Sequence, residues 1–403
     1  MMINRLLSLS IILALLVVLL LFAILTGAAT AGARYSDLGI AFGKEIILGA
    51  GVYLILVGLV YRDKYFSFTF PILIYILILL FLRTWGELTS ALTNRGFSQF
   101  DFFFLLSVAG LLVGTSKARN IVEFGVKISA TVISISILLI GFSPGLVGVL
   151  TIYDATKLEE IGTGSSIFLK NSGILLNNNA LGAVMTAMFA YLVFVKSVHT
   201  RPDSTNKILV LMLSSVFFSG NGTGSIFCSL LYVYFAVVQG HIIIKKGHYV
   251  LTVTSITMFL VALALMTLES SYIAYKLESI TAKYNIFFDN LNYLFGSYIG
   301  FVFGHRYEAA LSESTLIDFL YYFGFPGILL LILLFFSGSL LASRVNSYSR
   351  ARIRSWPIYL TLFTLLLVQN SAFLPPVCFI FGLLLSYSSI KLTTDYHYPS
   401  RPI

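Results

Sequence analysis

Between positions 6 and 28 the chain carries no charged residue, and comparably long apolar runs recur along its whole length. A membrane-spanning helix needs about 20 predominantly apolar residues, and in lipid only helices and closed barrels satisfy their backbone polar groups. The runs are continuous rather than alternating, which argues for helices. Taken between polar breaks, they predict spans near 6–28, 39–61, 66–83, 99–115, 120–141, 178–196, 207–220, 223–244, 249–268, 313–337, 357–371 and 374–390. The expected fold is therefore all-α, a single polytopic integral membrane domain over 1–403 with about 12 transmembrane helices. Composition agrees: 11% of the 403 residues are charged and 58% are hydrophobic, against about a quarter charged in soluble domains. No polar stretch remains that is long enough for a separate soluble cofactor-binding domain.

The loops orient the bundle. With a cytoplasmic N-terminus, the inner segments hold Arg5, Arg62, Lys64, Lys117, Arg119, Lys196, Arg201, Lys207, Lys245, Lys246, Arg344, Arg350, Arg352, Arg354, Lys391 and Arg401. These outnumber the outer Arg34, Arg83, Arg95, Lys157, Lys170, Lys276, Lys283 and Arg306 by about two to one, so both termini are expected in the cytoplasm. The formal charge of +9 is then a topology signal, with no nucleic-acid partner implied. Most acidic residues fall on the outer side, where any carboxylate chemistry would have to occur. The first span is read as an anchor, although Gly27-Ala28-Ala29-Thr30-Ala31 offers small residues for signal cleavage, because its apolar run exceeds the usual signal length.

Two long outer loops, about 142–177 and 269–312, stand out among short connections, and loops of that length are usually functional or disordered. Within the second, Leu277, Ile280, Tyr284, Phe287, Leu291 and Leu294 recur at helical spacing, which predicts an interfacial helix over 272–294 lying on the membrane. His305 is the only outer histidine and stands close to Arg306, Glu308, Glu313 and Asp318. Ser314, Asp318 and Tyr322 repeat every four residues on one helix face. An intramembrane Asp is costly, so that face is expected to line a polar cavity, or else Asp318 bonds a neighbouring helix.

Arg95, Lys170, Lys283 and Arg306 are outer cations able to hold a phosphate or pyrophosphate. Glu123 and Lys127 read as a local i, i+4 ion pair. Lys44, about a turn inside the outer boundary, either snorkels or faces the cavity. Cys228 and Cys378 lie in apolar segments as packing residues, with no disulfide expected. No outer Asp-x-Asp or His/Cys cluster suggests a metal. Gly220-Asn221-Gly222-Thr223-Gly224 lacks the Lys-Ser/Thr and the preceding strand of a phosphate loop, and reads as a tight hairpin between helices; its Asn221-Gly222-Thr223 sequon is discounted.

From about 160 to 330 the order of features resembles the O-antigen ligase and polymerase superfamily of membrane glycosyltransferases. The family pattern Arg-x-x-Gly-x-Phe-x-x-Pro-Asn-x-x-Gly is approximated by Lys170-Asn171-Ser172-Gly173 and Asn178-Asn179-Ala180-Leu181-Gly182, with Lys170 for Arg, Leu175 for Phe and Asn178 for Pro. The hairpin Ser219-Gly220-Asn221-Gly222-Thr223 stands where family members carry Ser-Arg, and the arginine is missing. Ser312-Glu313-Ser314 ahead of Gly324-Phe325-Pro326-Gly327 stands for the family's His-Asn/Ser region, so the ligase histidine would fall at Ser312 unless His305 substitutes.

The resemblance implies a GT-C-like fold in the bacterial inner membrane and favours a polymerase of polyprenyl-pyrophosphate-linked repeat units over a ligase acting on lipid A core. It implies Glu313, His305 and Arg306 as catalytic, with Lys170, Lys283, Asn179, Asp318, Tyr322 and Arg95 at the substrate, and no cofactor. A chain-length regulator, a flippase and membrane lipids are the implied partners. A flippase is the reading from another class; short loops and charges buried in mid-span would favour it.

Overall fold

The structure is a computed structural model. It describes residues 43–61, 99–142, 178–198, 205–239 and 374–387, with scattered single positions from 281 to 365. The described residues build helices and no strand, which fixes the class as all-α for that part. In chain order the helices are α1 Gly43–Val60, α2 Gln99–Gly114, α3 Arg119–Phe142, α4 Asn178–Val198, α5 Thr205–Phe218, α6 Gly222–Gln239 and α7 Pro375–Tyr387. Each coincides with one predicted apolar run to within a few residues. One stretch, Arg119–Ile140 in α3, is long and apolar enough by itself to cross a membrane, while the other described helices offer shorter apolar stretches.

Helix ends follow local chemistry. Pro375 and Pro376 occupy the first turn of α7, where a missing N–H costs nothing, and the carbonyl of Leu374 accepts from Val377 and Cys378. The tight turn between α2 and α3 is closed by Ser116, whose Oγ donates to the Val113 carbonyl at 2.7 Å and accepts from the Ala118 amide at 3.1 Å. The Lys117 amide donates to the Tyr61 carbonyl at 2.9 Å, fastening that turn to the end of α1.

Helix α4 is the centre of the assembly. From Leu181 through Val195 every residue is buried, on all sides of the helix, the mark of a helix enclosed by others. It packs against α5, α6 and α7, and α3 packs on α5. Cys228 and Cys378 are buried thiols outside any disulfide.

Small residues set the closest approaches. A Cβ on Gly110 of α2 would overlap the Phe379 carbonyl oxygen of α7, and one on Gly382 of α7 would overlap the Ser107 carbonyl oxygen of α2. The Ser107 hydroxyl also donates to the Cys378 carbonyl at 3.3 Å. A Cβ on Gly114 would in turn overlap Ser386, so from Ser107 and Cys378 to Gly114 and Ser386 the contacts advance together along both chains, and α2 and α7 run parallel. Gly51 facing Leu105 and Gly58 facing Leu112 show the same for α1 and α2, and Gly182 beside Asn221 with Thr186 beside Cys228 show it for α4 and α6.

The outward faces are apolar. Val52, Leu56, Leu59 and Val60 line one side of α1, Phe124, Val132, Ile135 and Leu139 one side of α3, and Ile226, Leu230 and Val233 one side of α6; all are exposed, Leu230 by 58%. Polar side chains lie inside instead, among them Ser107, Ser134, Thr186, Ser215 and Ser386.

Within the span predicted over 313–337, Gly324 is helical by its hydrogen bonding and has a φ of 65°, in the left-handed region open to glycine. Phe325, Ile328, Leu329 and Ile332 beyond it are helical. In the predicted interfacial segment, positions 281, 284–286, 288, 289 and 292 are helical and exposed, and the rings of Tyr284 and Phe288 meet at 4.4 Å one turn apart.

Candidate functional site

Of the residues singled out in the sequence, Glu313, His305, Arg306, Lys170, Lys283, Asp318, Tyr322 and Arg95 lie outside the described residues. Asn179 falls in the first turn of α4. Among the described residues, no group of three His, Cys, Asp or Glu comes together.

What the structure does bring together is two of the segments that carry the family resemblance, the start of α4 and the hairpin between α5 and α6. The hairpin forms for local reasons. Gly220 closes α5 with a φ of 65°, the usual left-handed residue after a helix C-terminus. Asn221 then caps α6: its Oδ1 accepts from the Gly224 amide at 2.6 Å, and its own amide donates to Ser219 Oγ at 3.2 Å. An Asn before the first helical residue is a preferred N-cap because its side-chain oxygen satisfies an amide that the helix cannot. Ser219 Oγ donates in turn to the Val216 carbonyl at 2.6 Å. Ser219, Gly220 and Asn221 are all buried, Asn221 with 4% exposed.

This buried cap stands directly on α4. A Cβ on Gly182 would overlap Asn221 Oδ1 and lie 2.7 Å from its Cγ and 2.8 Å from its Nδ2, and one on Gly224 would lie 2.9 Å from the Gly182 Cα. Gly182, Asn221 and Gly224 therefore interlock, and the first turns of α4 and α6 start side by side at the same end of a parallel pair. Asn178 and Asn179 open α4 one turn before Gly182. Asn-Gly-Thr-Gly ahead of an apolar run is an N-cap signal in the sequence, but nothing there pairs the cap with α4.

Away from this contact, in the first turns of α3, Lys127 Nζ lies 2.8 Å from Glu123 Oε1, with 15% and 14% of the two side chains exposed. The i, i+4 pair is the local element of α3 that the spacing predicts.

Compared with protein-family models, curated proteins and solved structures, the chain matches none.

Proposed function

We propose that this chain is a membrane-embedded polysaccharide polymerase, joining polyprenyl-pyrophosphate-linked repeat units at the outer face of the bacterial inner membrane. Two observations support the membrane setting. Three helices turn stripes of large apolar side chains outward while serines and threonines are buried, the reverse of a soluble surface, and glycine-lined helix contacts are typical of membrane bundles. The parallel pairs also fit the predicted spans. Parallel neighbours that both cross a bilayer need an odd number of crossings between them: one predicted span separates α1 from α2, α5 separates α4 from α6, and an odd number separates α2 from α7.

The observation that carries the enzymatic reading is the juxtaposition of the α4 start with the 219–224 hairpin. Segments far apart in sequence, each approximating a family motif, meet at one end of the bundle, which the basic-residue distribution assigns to the outer side. Nucleotide sugars are not available there, so a transferase needs a lipid-linked donor whose pyrophosphate leaves. The acceptor hydroxyl attacks the anomeric carbon, the bond to the pyrophosphate oxygen breaks, and the proton passes to Glu313 or His305 as general base. Arg306, Lys283 and Lys170 stabilise the charge that develops on the leaving group, a contribution that is often the largest in a water-poor site.

The reading is tested with purified protein in detergent given lipid-linked repeat units. It predicts longer glycans and released polyprenyl pyrophosphate, with elongation abolished in Arg306→Ala at equal expression. Wild-type chain lengths in that variant remove Arg306 from the site.

A further inference from the structure

We infer that Asn221 is a positioning residue for the outer-face site, setting where the first turn of α4, with Asn178 and Asn179, stands relative to α6. The inference rests on the polymerase reading and assigns Asn221 no contact with the reacting atoms. Its amide does two things at once. Oδ1 holds the Gly224 amide at 2.6 Å and so fixes the start of α6. The same oxygen, with Cγ and Nδ2 behind it, fills the notch over Gly182, where even a methyl would overlap Oδ1 and come within 2.8 Å of Nδ2.

A cap that needed only to satisfy an amide could sit at the rim, where serine or aspartate serves equally. This one is buried against a second helix, and that helix lacks a side chain at the point of contact. The combination registers α4 on α6 with no slack: Gly182 and Gly224 are both too close to Asn221 for any side chain of their own. A donor gripped near Asn179 depends on that register, since misplacing a reacting group by about 1 Å costs about 10²-fold in rate.

Three variants separate positioning from simple capping. Asn221→Ser offers a cap oxygen on a side chain one bond shorter, drawn back from Gly182; Gly182→Ala crowds the notch; the double variant places the new methyl in the space the amide leaves. We expect each single variant to lose about tenfold or more in kcat/KM for elongation, and the double variant to recover most of that loss. Asn221→Asp keeps the shape and the cap oxygen, and the start of α6 favours its carboxylate. It should retain kcat/KM within a few-fold of wild type.

Additive losses in the double variant, or an Asn221→Asp protein as impaired as Asn221→Ser, would overturn the positioning role. If the other single variants fail to accumulate, a loss of about tenfold or more in kcat/KM for Asn221→Asp at a wild-type thermal midpoint overturns it. Absence of elongation in the wild-type protein would instead sink the polymerase reading, and the two failures are thereby distinguished.

Discussion

Replacing Gly382 with alanine adds one methyl group at the closest approach of α2 and α7. The new Cβ would overlap the Ser107 carbonyl oxygen and lie 2.9 Å from both the Ser107 carbonyl carbon and the Leu111 amide nitrogen. Carbon atoms pack best at about 3.5–4.0 Å, and every obstacle here is backbone, so no side chain can swing away and the helices must separate. Overpacking of this kind costs about 1–3 kcal/mol. Against it stands the gain of about 0.5–1 kcal/mol for alanine over glycine inside a helix. The clash wins, leaving a net loss of about 1–2 kcal/mol.

Gly49 supplies the control, because a Cβ there meets nothing within 4 Å and only the helix gain applies. The assay is a thermal melt read by a thiol-reactive dye, for which the fully buried Cys228 and Cys378 are natural reporters. Gly382→Ala should lower the midpoint by a few degrees, at about 2–4 °C for each kcal/mol in a mid-sized domain. Gly49→Ala should match or exceed wild type. A Gly382→Ala protein as stable as Gly49→Ala would refute the close backbone packing of α2 on α7.

Further substitutions probe other features of the molecule. Leu230→Asp places a carboxylate on the exposed apolar face of α6; facing lipid it costs about 2.5–3.5 kcal/mol by insertion scales, whereas on a water-facing surface it stays within about 0.5 kcal/mol, and the yield of membrane-inserted protein distinguishes the two. Gly220→Ala forces a side chain into a residue with φ of 65° and should destabilise by about 1–2 kcal/mol, while Gly222→Ala, with open space around its Cβ, should be close to neutral in the same melt. Glu123→Gln removes the carboxylate that lies 2.8 Å from the Lys127 ammonium and should lower the midpoint of the same melt by the equivalent of about 0.5 kcal/mol, the scale of an i, i+4 ion pair.

The helices are largely legible in the sequence because membrane-length apolar runs leave little choice of secondary structure. The run over 120–141 becomes α3, Arg119–Phe142, and the run over 178–196 becomes α4, Asn178–Val198. The glycine-rich hairpin is legible too, since Gly220 and Asn221 are a helix stop followed by a helix cap. Tertiary pairing is not. Apolar residues surround each helix, so periodicity does not reveal which face meets which neighbour, and the sequence offers no sign that Gly110 meets Phe379 or that Gly182 meets Asn221. The positive φ at Gly324 is hidden too, because the hydrophobic run continues through it. In the candidate site, the chemistry-bearing side chains are selected by charge that breaks the positive-inside rule, a criterion that picks residues without placing them.

Sided reconstitution tests the central claim most directly. The protein is inserted into liposomes, its orientation is fixed by the accessibility of a Lys117→Cys thiol, and lipid-linked repeat units are supplied to one leaflet. Elongated glycan and free polyprenyl pyrophosphate are expected when substrate is on the side bearing the α4 start and the 219–221 hairpin, and neither from the side bearing residue 117. Repeat units that cross the bilayer without lengthening, or no elongation from either leaflet, would contradict the polymerase reading.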